Sequence, residues 1–150
     1  MVELITVMVM IGVLAAIAIP KLVGDNITEA AVYGDKVASA LRLAQKSAVA
    51  KRRTVCLDTA SGSLSVRTAV GPGTVPFECN TGLQDVDNGL FANNNASIAM
   101  TGVPPVLHFQ PDGSITDANN VQIGAISIDI TVAGKPQRSI RVDGGTGYVD

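Results

Sequence analysis

The sequence predicts an α+β fold: a long N-terminal helix, membrane-spanning in its first half and amphipathic in its second, packed on an antiparallel β-sheet domain. Three observations carry this. Leu4 to Ile19 reads LITVMVMIGVLAAIAI, sixteen residues without a charge. Tyr33, Val37, Leu41, Ala44 and Ala48 recur at spacings of 4, 4, 3 and 4, one apolar stripe on a helix of about 3.6 residues per turn. Beyond Arg53 the apolar period becomes two, the repeat of a half-buried strand. A chain of 150 residues supports one compact core and no second globular domain.

The first element divides residues 1–24 from a domain over 25–150. Leu4 to Val23 would be about 30 Å long at roughly 1.5 Å per residue, the thickness of a bilayer's hydrocarbon core. A cleaved secretory signal fits less well, because it needs basic residues ahead of the apolar run, and here Glu3 stands there. A buried core helix also fits poorly, since the run is apolar on every face. Pro20 near the end of the run predicts a kink. A carboxylate at Glu3 favours a helix N-terminus, yet in hydrocarbon it calls for a partner. Lys21 and the other basic residues follow the run, so the positive-inside rule requires a basic leader ahead of it to place the domain outside the cytoplasm.

A second helix is expected over about 26–53, with Asn26 or Asp25 as N-cap and Glu29 as its capping-box partner. The face opposite its apolar stripe carries Arg42, Lys46 and Arg53, and Lys51-Arg52-Arg53 complements the dipole at its C-terminus. Strands are expected at Thr54 to Leu57, Leu64 to Thr68, Val106 to Phe109, Ile123 to Val132 and Ser139 to Val142. Ser61-Gly62 and Asp112-Gly113 signal short turns, and Gly71 to Pro76 and Asp85 to Ser97 longer loops.

Composition narrows the chemistry. Apolar residues make up 47%, charged residues 16% and aromatics 3%, too apolar for a disordered chain, and the net charge of −2 gives no global field toward nucleic acid or anionic lipid. One histidine and two cysteines cannot supply a four-ligand zinc site of the usual Cys/His type. His108 has no nucleophile signature beside it and reads as structural, and Gly144-Gly145-Thr146-Gly147 reads as a turn, because no lysine follows and no helix opens there. No catalytic group, metal or cofactor is expected.

Glu3-Leu4-Ile5, Val7 and Ile11-Gly12-Val13-Leu14-Ala15-Ala16-Ile17-Ala18-Ile19-Pro20 resemble the N-terminal helix of type IV pilins and type II secretion pseudopilins. Leu41 to Val55, reading LRLAQKSAVAKRRTV, and Phe109-Gln110-Pro111-Asp112-Gly113 are similar to the minor branch of that family, often called GspH/FimT-type. The resemblance implies a pilin-like fold and a subunit of a pseudopilus or pilus that acts by assembly. Its residues 1–24 would anchor in the bacterial inner membrane and later pack in the filament core, with the domain in the periplasm. It also implies a leader removed by a prepilin peptidase and methylation of the new N-terminus. By the family's spacing two mature residues would precede Met1. Glu3 would then neutralise the terminal amine of a neighbouring subunit and set its register.

In a periplasmic domain Cys56 and Cys79 are expected to form a disulfide, with a stabilisation of about 3 kcal/mol. Some FimT-type relatives bind DNA through a terminal Gly-Arg-x-Arg. The matching stretch here is Gly147-Tyr148-Val149-Asp150, where tyrosine and aspartate replace both arginines. Lys135, Arg138 and Arg141 remain as weak DNA-binding candidates, and alternation puts Arg138 and Arg141 on opposite faces of a strand. A DNA-binding minor pilin and an anchored periplasmic binding module are thus the alternatives to an assembly subunit, and nucleic acid is not the expected partner.

Overall fold

The computed structural model describes residues 2–22, 26–60, 63–71, 78–83 and 90–150, with the side chains of 17–22, 60 and 90 excepted. Helix α1 covers Val2–Leu22 and helix α2 covers Asn26–Lys51. Strands β1 (Val55–Ala60), β2 (Ser63–Thr68), β3 (Thr81–Gly82), β4 (Leu90–Phe91), β5 (Ile98–Thr101), β6 (Val106–Phe109), β7 (Ile115–Thr116), β8 (Ile126–Val132) and β9 (Lys135–Val142) follow. The expected Ser61-Gly62 turn, most of the Gly71 to Pro76 loop and the boundary between residues 24 and 25 lie outside the described residues.

The expected antiparallel β domain divides into two sheets. One runs β3-β2-β1-β6-β7, with β4 taking the half of β2's outer edge that β3 leaves. The other runs β5-β8-β9. α2 lies across both. Its buried stripe, including Tyr33, Val37, Leu41, Ala44 and Ala48, meets Val55, Leu57, Leu64, Val66, Leu107 and Phe109 of the first sheet and Ile128, Ile130, Ile140 and Val142 of the second. The short strands β3, β4, β5 and β7 have too few residues to show a period, and pairing with longer neighbours makes them strands.

The ends of α2 differ from the local expectation. At its start Glu29 Oε2 accepts from Asn95 Nδ2 at 2.6 Å, and Asn26 Oδ1 accepts from the same amide at 3.0 Å, so a distant loop ties down the first turn. At its end the Arg52 N–H donates to Val49 O and the Arg53 N–H to Ala48 O, a Schellman pattern with Arg52 in the left-handed region at φ 50°. Glycine occupies that conformation without the clash an L side chain meets, roughly 1 kcal/mol. Arg52→Gly is therefore expected to stabilise the protein by about 0.5 kcal/mol, after subtracting a small loss of dipole complementarity. Thermal melting of the two proteins would show it, and a lower melting temperature for the variant would refute it.

Gly34 sits in the middle of α2, where a glycine ordinarily weakens a helix. The packing explains it: a Cβ there would lie 2.6 Å from Arg138 Cγ and 2.9 Å from Arg138 Cβ. The absent side chain lets β9 close onto the helix.

Candidate functional site

α1 carries a surface that its own domain does not cover. Val2 is 75% exposed and Met10 68%, and the side chains of residues 2–14 are exposed around the whole helix. A helix apolar on all sides needs lipid or other helices to remove that surface from water. Glu3 lies in its first turn, where its carboxylate meets the positive end of the helix dipole. Its backbone carbonyl accepts from Thr6 Oγ1 at 2.8 Å, and its carboxylate has no ion pair among the described residues. The backbone helix continues through Pro20 to Leu22, and the Pro20 side chain lies outside the described residues. Among the described residues no helix is long and apolar enough to cross a membrane; their side chains in α1 end at Ala16, short of the expected Leu4 to Val23 span.

In the domain, Cys56 and Cys79 form the disulfide, with Cα atoms 6.1 Å apart. It joins the start of β1 to the segment just before β3. Cys56 stands opposite His108 on β6 and Arg67 on β2, on the sheet face turned away from α2. His108 is buried, and that burial pushes its imidazole below the ordinary value, while the Asp117 backbone and the charges of Asp58 and Asp117 oppose the shift. It lies on the face opposite to Leu107 and Phe109, as alternation predicts.

The C-terminal segment is held by side chains that no local pattern singles out. After β9, Asp143 Oδ1 accepts from the N–H groups of Gly145 and Thr146 and from Thr146 Oγ1, contacts that hold its carboxyl below the usual carboxylate range. This is the turn expected at Gly144 to Gly147. It needs Gly147 in the left-handed region at φ 68°. The chain then returns along β9: the Asp150 N–H donates to Arg141 O at 2.9 Å and the Arg141 N–H to Asp150 O at 3.2 Å. Gln45 donates to Thr146 O at 3.0 Å, and Arg42 donates through Nε and Nη2 to Val149 O at 3.3 Å. Two residues three apart on α2 thus strap down the returning chain.

Lys135 opens β9 opposite Val132, at the far end of the strand from Arg141. Arg138 pairs with Asp35 of α2 at 3.4 Å, on the side of β9 that carries Ile140 and Val142, whereas Arg141 lies on the other side. Alternation is therefore obeyed. Because β9 is an edge strand, the long side chains nonetheless reach one common pocket, which Arg42 also lines.

Residues 34–146 match the family described as type II transport protein GspH. The chain belongs to the GspH family. Its fold is also that of the type IV minor pilin FimU of Pseudomonas aeruginosa PAO1. In one crystal form of FimU the TM-score is 0.58 at 15% identity, covering 82% of this chain and 87% of that one. In a second form it is 0.53 at 14% identity, covering 79% and 89%. No curated protein sequence matches significantly. The GspH-family chain is accordingly a structural subunit of the minor pilin and pseudopilin kind, and the disulfide, α2 and both sheets build its globular part. Among the described residues no cluster of histidine, cysteine, aspartate or glutamate could hold a metal ion.

Proposed function

We propose that this chain is a membrane-anchored minor pseudopilin or minor pilin, working by assembly through α1 and without catalysis. One observation carries the reading: a helix apolar on every exposed face projects from a domain of the GspH family. The same surface can be solvated by lipid before assembly and by neighbouring helices afterwards, so moving from membrane to filament need not expose it to water. In this reading Pro20 bends the helix where it leaves the bilayer, and Glu3 sets register by pairing with a neighbour's terminal amine. The inner membrane, a prepilin peptidase and other pilin-type subunits are its partners, and the β domain lies in the periplasm, where Cys56 and Cys79 can oxidise.

Fractionation tests it. The full chain should sediment with membranes and require detergent for release, and crosslinking in cells should join it to other pilin-type subunits. Recovery of the full chain as a soluble monomer without detergent would overturn the proposal.

A further inference from the structure

The pocket at the edge of β9 has a chemistry that the assembly reading does not use. It is lined by Arg42, Ser127, Arg138, Ser139, Arg141 and Asp150, and has a volume of about 320 Å³. Three arginines from two elements line it, yet among the described residues only Arg138 has an ion-pair partner, Asp35. Arg42 is committed to a neutral carbonyl, Val149 O. The Ser139 hydroxyl donates to Asp129 Oδ1, as does that of Ser127 at 3.5 Å, so Asp129 is occupied by hydroxyls rather than by an arginine. Asp150 is the acid within the lining, and it lies beyond ion-pair distance of Arg42 and Arg141.

A guanidinium offers five N–H donors in a planar fork, a geometry that matches the two oxygens of a carboxylate. All six lining residues are polar or charged and most of the lining surface is polar, which disfavours a hydrophobic ligand. We propose that this pocket is an oxyanion site and that its occupant is the carboxylate of an acidic side chain on a partner protein. The inference rests on the reading of the chain as an assembling subunit, which supplies such a partner. Charge selects a single carboxylate over an extended polyanion. Asp35 pairs with Arg138, Asp150 stands in the lining and Asp129 is bonded to two of the lining serines, so a line of nucleic-acid phosphates would meet these acids, whereas one inserted carboxylate would meet the arginines. Asp150 acts as a competing anion at the rim, and its removal should strengthen binding.

The test needs no filament, so it can fail independently of the assembly reading. The full chain in a nonionic detergent, labelled at its arginine side chains, would be titrated with a terminally blocked peptide carrying a single glutamate, inorganic phosphate and duplex DNA while the Nε–H resonances are followed by NMR. The single-glutamate peptide should shift Arg42, Arg138 and Arg141 and leave Arg52 and Arg67 in place. Arg141→Gln should weaken that binding about tenfold, Asp150→Asn should strengthen it about threefold, and both variants should melt cooperatively like the parent. Equal shifts at all the arginines, or none at the three, would remove the site. Phosphate binding as tightly as the peptide would reassign the pocket to free phosphate, and tighter binding of duplex DNA with a steep salt dependence would reassign it to nucleic acid. Either result overturns the proposal.

Discussion

Replacing Glu3 by alanine is expected to abolish incorporation into filaments while leaving folding and membrane insertion intact. Glu3 lies in the first turn of α1, remote in sequence from the packed core, which begins at Ala30. If the carboxylate served its own helix dipole alone, its loss would cost under about 1 kcal/mol and assembly would continue. If it pairs with a neighbour's amine between apolar helices, removing one partner leaves a buried charge uncompensated, a cost of about 3 to 5 kcal/mol, or more than a hundredfold in assembly. Glu3→Gln keeps the size and loses the charge, so it should fail almost as fully. The readout is the ratio of filament-associated to membrane-associated protein in cells that carry the assembly machinery. Normal incorporation of the alanine variant would reduce Glu3 to a helix cap.

Loss of the Cys56–Cys79 disulfide should destabilise the domain by about 3 kcal/mol, because a cross-link across 23 positions restricts the unfolded chain. For a domain of this size that corresponds to a fall of about 10 °C in melting temperature, measured for the double alanine variant against the parent. Cys56→Ser should be worse than Cys56→Ala. Cys56 is buried in β1 between β2 and β6, and a hydroxyl left there without a partner costs about 1 to 3 kcal/mol. Unchanged melting under reducing conditions would contradict the first statement, and equal melting of the serine and alanine variants the second.

The elements that could be read directly are those whose period is long enough to be unambiguous. The stripe from Tyr33 to Ala48 is buried as expected, and α2 ends at Lys51, two residues short of the expected Arg53. β2 and β6 fall on the runs whose alternation marked them, whereas β1 runs past Leu57 to Ala60, β8 starts at Ile126 instead of Ile123, and β9 starts at Lys135 instead of Ser139. The cysteine pair was legible because the sequence offers no alternative partner for either residue.

Residue types and short repeats were enough for the α+β class, the apolar first helix, the amphipathic second helix and the disulfide, because each depends on residue type or on a repeat along a few turns of chain. The division into two sheets, the need for Gly34 beneath Arg138, the Asn95 clamp on the start of α2, and the shared pocket of Arg42, Arg138 and Arg141 emerge once the chain is folded. These contacts join residues up to 107 positions apart, as in the bond from Arg42 to Val149 O. Local propensity carries no information about which distant groups a fold will bring together. That is settled by which apolar faces can be buried at once and which edge strands are left for long side chains to reach around.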